Sequence, residues 1–168
     1  MLSKERLYYV LWQIISELSF EDKGPILQEI AKWAGQSSEP RSDHLAMSST
    51  ELKLLANSRL FEIGAHTVHH PVLPRISLEK QKKEIAGSKH ALEEMLNRSI
   101  TSFAYPHGEY SEETVDILKS CKFKNACTVK EHPVTRNSDP LLLPRFGVLD
   151  WNGDEFEQKL RYWLMEAR

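Results

Sequence analysis

From residue 60 onward, short apolar runs alternate with amphipathic stretches, and this alternation restricts the fold more than any other feature of the chain. "LFEI" (60–63), "SFAY" (102–105) and "KNACTV" (124–129) read as strands, and "LLLPRFGVLDW" (141–151) adds a further apolar stretch. Between them "SLEKQKKEIAGSKHALEEML" (77–96) reads as a long helix with Leu78, Ile85, Leu92 and Leu96 on one stripe, and "EETVDILKSC" (112–121) as a shorter one. "DEFEQKLRYWLMEA" (154–167) closes the chain as a helix. Such an order predicts parallel strands joined by helical crossovers, an α/β architecture.

The first 47 residues are different in character. Leu7, Val10, Leu11, Ile14, Ile15 and Leu18 recur at helical spacing. "GPILQEIAKWAG" predicts a second helix with Pro25 near its first turn and Gly35 as its stop. "QSSEPRSDHLAM" (36–47) reads as a linker, so residues 1–47 form a helical hairpin with its linker and residues 48–168 a second region. That region opens on Ser48 with Glu51 three residues on, a capping-box signature.

A formal charge of −2 over 168 residues points to neither nucleic acid nor an anionic membrane as partner. No apolar run approaches the ~20 residues of a membrane span. The opening "MLSKERLYYVLWQIISEL" carries charges and no cleavage site, so it does not read as a signal peptide, which slightly favours a cytoplasmic location. Cys121 and Cys127 are too few for a disulfide framework and read as two thiols at or near the core.

Chemistry concentrates in "FEIGAHTVHHP" (61–71), with three histidines in five positions. His66 follows a predicted strand directly, at the end where parallel sheets collect their active residues. Imidazole is the commonest protein metal ligand, and His66 and His70 can turn to one side of a tight loop. Thr67 can brace that loop through its hydroxyl, and Pro71 ends it. Spacing alone leaves His69 open as a ligand.

The second strand–loop, "SFAYPHGEYS", ends its strand on an aromatic and continues into proline and glycine. Together the two loops resemble the NodB-type polysaccharide deacetylases. His66, Thr67, His70 and Pro71 match that family's H-[ST]-x-x-H-P motif, and Phe103, Pro106 and Gly108 match part of its next motif. The likeness covers roughly residues 48–150, and the preceding helical hairpin is similar to an insertion in one branch of the family.

The resemblance implies a distorted (β/α) barrel, here a partial one. It also implies a divalent metal, commonly Zn2+, held by His66 and His70, and an acetylated poly- or oligosaccharide as substrate. Tyr105, Pro106, His107 and Gly108 would line the sugar groove, with a backbone amide near His107 supporting the oxyanion. Arg145 would stand in for the arginine that the family carries where Ala104 is found here. Trp151 reads first as packing against the last helix, with stacking on a sugar as its other role.

The family also carries adjacent aspartates, one the base and one a metal ligand, and this chain has no Asp-Asp pair. It is therefore expected to be the C-terminal part of a deacetylase domain, inactive alone. The alternatives are a non-catalytic saccharide-binding or structural remnant, or a homo-oligomer that completes the barrel through exposed strand edges. His132, on a loop, reads as a solvated histidine rather than a general acid.

Overall fold

Two short strands form the centre of the α/β region. β1 (Ser102–Ala104) and β2 (Asn125–Cys127) pair in parallel, with Ser102 opposite Asn125 and Ala104 opposite Cys127. Parallel bridges extend the ladder on either side, Ala65 to Phe103 and Cys127 to Leu143. The order is thus Ala65, β1, β2, Leu143, and every chain end that leaves this ladder leaves it in the same direction. These coordinates come from a computed structural model that describes residues 3–16, 18 and 20–166.

The α/β class is as expected, and among the described residues the ladder is open rather than closed into a barrel. Among the described residues the strand expected at 60–63 does not form, a single bridge at Ala65 standing just beyond it, and the apolar stretch 141–151 contributes a single bridge at Leu143. Leu60 and Phe61 are exposed, so of that run only Ile63 packs on the core, and an outer strand has only one neighbour to hold it.

Helices supply the connections. α3 (Ser49–Asn57) starts on the Ser48–Glu51 capping box. α4 (Leu78–Leu96) starts where the Ser77 hydroxyl accepts from the Lys80 amide, and stops at Asn97, whose φ of 48° is left-handed. α5 (Glu112–Ser120) is capped by Ser111. α4 buries Gln81, Ile85 and Ser88, whereas Leu78, expected on the apolar stripe, is exposed. The buried face is fixed by Gln81, which donates to the Ile76 carbonyl and accepts from the Thr114 hydroxyl of α5 at 2.7 Å. Among the described residues no buried side-chain nitrogen or oxygen is left unpaired, which is what makes a buried glutamine tolerable.

Around the ladder lie Leu73, Ile85, Ile100, Leu118 and Phe123, with the Phe103 ring 5.4 Å from Tyr105 and 5.3 Å from Phe123. Lys89 pairs with Glu93 at 2.7 Å and donates to the Ile100 carbonyl, fixing the turn that launches β1.

The chain divides after Met47 into two compact units. The first holds α1 (Lys4–Ser16) and α2 (Phe20–Trp33). Pro25 is not at the first turn of α2, as expected, but inside it, because the helix already begins at Phe20. Gly35 does end it, at φ 63°, with the Gln36 amide reaching back to the Ala31 carbonyl. In the second unit α6 (Gly153–Glu166) closes the described chain, and Ala167 of the predicted helix lies outside the described residues. No helix among the described residues is long and apolar enough to cross a membrane.

Candidate functional site

Ala65 bonds to β1 through both its amide, to the Ser102 carbonyl, and its carbonyl, from the Ala104 amide. The next residue, His66, is therefore thrown out at the C-terminal end of the ladder, level with the loop that follows β1. Its Nδ1 lies 2.7 Å from the Ala104 carbonyl oxygen. A carbonyl only accepts, so Nδ1 donates this bond, and in the neutral tautomer that makes it the lone pair lies on Nε2. Metal-ligating histidines are oriented in this way.

The loop then turns sharply. Thr67 and His70 have φ of 64° and 56°, and His107 of the facing loop has 57°. Left-handed backbone is uncommon outside glycine, and for β-branched Thr67 it is strained. Of five non-glycine residues with positive φ among those described, three lie in these two loops, and strain of this kind gathers at functional sites. The Thr67 hydroxyl offsets part of it, donating to the His66 carbonyl at 2.6 Å and accepting from the His70 amide at 3.1 Å.

This turn brings three imidazoles together. Ring centroids are 4.7 Å apart for His66 and His70, and 4.5 Å for His70 and His107, both edge to face. His69 points elsewhere. Its Nδ1 meets Glu84 of α4 at 2.6 Å, while the amides of Val68 and His69 donate to the other oxygen of that carboxylate at 2.9 and 2.8 Å. Partial burial pushes the Glu84 carboxyl upward, but the His69 ring and these two amides outweigh it and hold the group below the usual carboxylate range.

Two imidazoles on one zinc, at ~2.0–2.1 Å each, hold their ring centres about 5 Å apart. The His66–His70 pair has that spacing. No group of three or more His, Cys, Asp or Glu among the described residues is placed to hold a metal. The donor set fits two of the three protein positions of a catalytic zinc site.

The β1 loop lies at the same end of the ladder, but its residues divide. Tyr105 and Pro106, expected against substrate, are buried. The Tyr105 hydroxyl donates to the Leu141 carbonyl at 2.8 Å, and its burial raises the phenol well above its ordinary pKa. Their role is to support the loop from beneath. His107 is the exposed residue, and Gly108 beside it, at φ 73°, presses on Val129 so closely that a Cβ would stand 2.3 Å from that side chain. Only glycine fits there.

The remaining candidates lie further along the chain. Arg145 is held at the same end of the ladder, its amide on the Lys130 carbonyl and its Nε on the Thr128 carbonyl at 2.7 Å. Trp151 packs on α6, its ring 6.0 Å from Trp163 and beneath the Lys159 ammonium, while Trp163 stacks on Phe146 at 4.4 Å. His132 bonds to the Pro133 carbonyl beside it. Sequence reasoning missed Glu84. Its one available signal is Gly87 in the interior of α4, a costly residue there, where a Cβ would stand 3.4 Å from the Val68 side chain.

A polysaccharide deacetylase family profile matches residues 30–126. The chain belongs to the polysaccharide deacetylase family. It is 25% identical over 174 aligned residues to a poly-beta-1,6-N-acetyl-D-glucosamine N-deacetylase of Staphylococcus aureus, covering 95% of this chain and 59% of the relative's length. Among solved structures it is similar to the Streptococcus pyogenes deacetylase PplD in complex with acetate, with TM-score 0.63, 25% identity, and 70% and 52% of the two chains covered. A polysaccharide deacetylase from Bacillus cereus superposes with TM-score 0.55 and 27% identity, over 62% of this chain and 33% of that one.

Proposed function

We propose that this chain is part of a metal-dependent deacetylase of N- or O-acetylated saccharides, and that it carries two of the metal's ligands without the paired carboxylates of the family. The observation that supports this best is the His66–His70 pair, spaced for one ion and with Nδ1 of His66 engaged by Ala104. A divalent metal, Zn2+ by preference, would supply Lewis acidity toward the acetyl carbonyl and toward a water, whose pKa it would lower toward ~7.

The chain's own groups have distinct tasks. His66 and His70 would hold the ion. The His107 amide donates to the developing oxyanion, because the Gly108 and Glu109 amides are already taken by the Tyr105 and Pro106 carbonyls. The His107 ring and Gly108 border the sugar. Arg145, anchored on Thr128, orients the base carboxylate when another segment brings it.

Acetate release from acetylated chito-oligosaccharides, with zinc or cobalt added, tests the reading. The chain alone should turn over at no more than background, since loss of a general base by itself costs ~10²–10⁴-fold. Robust metal-dependent release would contradict the missing-carboxylate account and direct attention to Asp150, which is exposed. A second reading, a groove that binds acetylated sugar without cleaving it, is favoured by the absence of a third metal ligand among the described residues. Sugar affinity that is indifferent to zinc would select it.

A further inference from the structure

Glu84, which lies outside the histidine loop, grips three of the loop's N–H groups. Its Oε2 accepts from the amides of Val68 and His69, and its Oε1 from the His69 ring. The carboxylate is only 15% exposed and sits on rigid α4, at the turn that also carries Gly87, over which Val68 passes. These anchors fall between Thr67 and His70, the two residues held at positive φ. The strained turn is therefore tied down at its middle, and the tie leads to a helix rather than to another loop.

We propose that Glu84 is a positioning residue that sets the convergence of His66 and His70. The inference rests on the reading of those two histidines as the metal pair. The physical reason is geometric. Left-handed backbone at a β-branched residue relaxes when nothing over-determines it, and relaxation at Thr67 or His70 swings the His70 ring away from His66. The Thr67 hydroxyl secures the inside of the turn, and Glu84 secures the outside. His69 belongs to this tether rather than to the ion, which accounts for a third histidine in the loop.

The test compares Glu84→Ala, Glu84→Asp and Glu84→Gln in the full chain. Glutamine retains an oxygen that accepts from both amides, while aspartate is one methylene too short to reach them. A nuclear Overhauser contact between the His66 and His70 rings should be present in the wild type and in Glu84→Gln, and lost in the other two. Zinc affinity by calorimetry should fall about 10- to 100-fold in Glu84→Ala and Glu84→Asp, the range for groups that orient metal ligands, and far less in Glu84→Gln. Amide protection in α4 and α5 should stay as in the wild type, separating loop geometry from a general loss of fold. An unchanged ring contact in Glu84→Ala, or wild-type zinc affinity in that variant, would overturn the proposal. A wild-type chain that binds no zinc contradicts the metal reading alone, because the ring contact still decides the role of Glu84.

Discussion

The Nδ1 of His66 and the carbonyl oxygen of Ala104 are 2.7 Å apart, joining the two loops that carry the site. Ala104 stands where the resemblance leads one to expect an arginine, and it is the backbone of that position, not its side chain, that serves the histidine. An Ala104→Arg variant should therefore keep the His66 orientation, provided the strand is undisturbed. The His66 imidazole tautomer, read from ring nitrogen shifts, should remain Nδ1-protonated in both proteins.

Gly108→Ala tests how tightly the β1 loop is built. A Cβ would meet Val129 at 2.3 Å and its amide nitrogen at 2.9 Å, at a φ of 73°. Backbone strain and overpacking together should cost about 2–4 kcal/mol. Urea denaturation would show it, and a loss within experimental scatter would mean the loop has room that the structure does not give it.

Tyr105→Phe separates support from substrate contact. Removing the hydroxyl leaves the buried Leu141 carbonyl without its donor, a loss of about 1–2 kcal/mol. Because Tyr105 has no exposed surface, affinity for acetylated oligosaccharide should not change in the folded variant. A selective loss of sugar affinity would restore Tyr105 to the groove.

Stability should fall in acid through carboxylates that the fold holds low, Glu93 and Glu84 among them. Glu93 is held below its ordinary 4.5 by the Lys89 ammonium and the Ile100 amide, and Glu84 is held low by His69 and Val68 despite its burial. For a depressed carboxyl the folded state binds its proton later than the unfolded state. The stabilisation is thus complete above pH 4.5 and disappears as pH drops through the lowered value. Denaturation midpoints measured between pH 7 and 3 should decline below 4.5, and less steeply in Glu93→Gln. A flat profile would contradict the assignment.

What the sequence showed well was local. The capping box at Ser48, the extent of α4 and the strand at 102–105 all follow from short-range patterns. So did the loop pairing, because two strands of a parallel ladder must deliver their following residues to the same end. Non-local facts were harder to read. Tyr105 looks amphipathic in sequence, and only the Leu141 carbonyl reveals that its hydroxyl is consumed inside the core. Glu84 lies in the charged run "KQKKE", where nothing distinguishes it from its solvated neighbours until Val68 and His69 arrive from the loop. Pro25 misled because a proline marks the first turn only when no helix precedes it.

The central claim is that His66 and His70 hold one metal ion and His69 does not. Zinc calorimetry on the wild type and on His66→Ala, His70→Ala and His69→Ala tests it most directly. The account predicts that the first two variants abolish the binding seen in the wild type. His69→Ala, which keeps two of the three bonds to Glu84, should bind within about threefold, well short of the 10- to 100-fold loss for a true orienting group. Loss of binding in His69→Ala with binding retained in His70→Ala would contradict it.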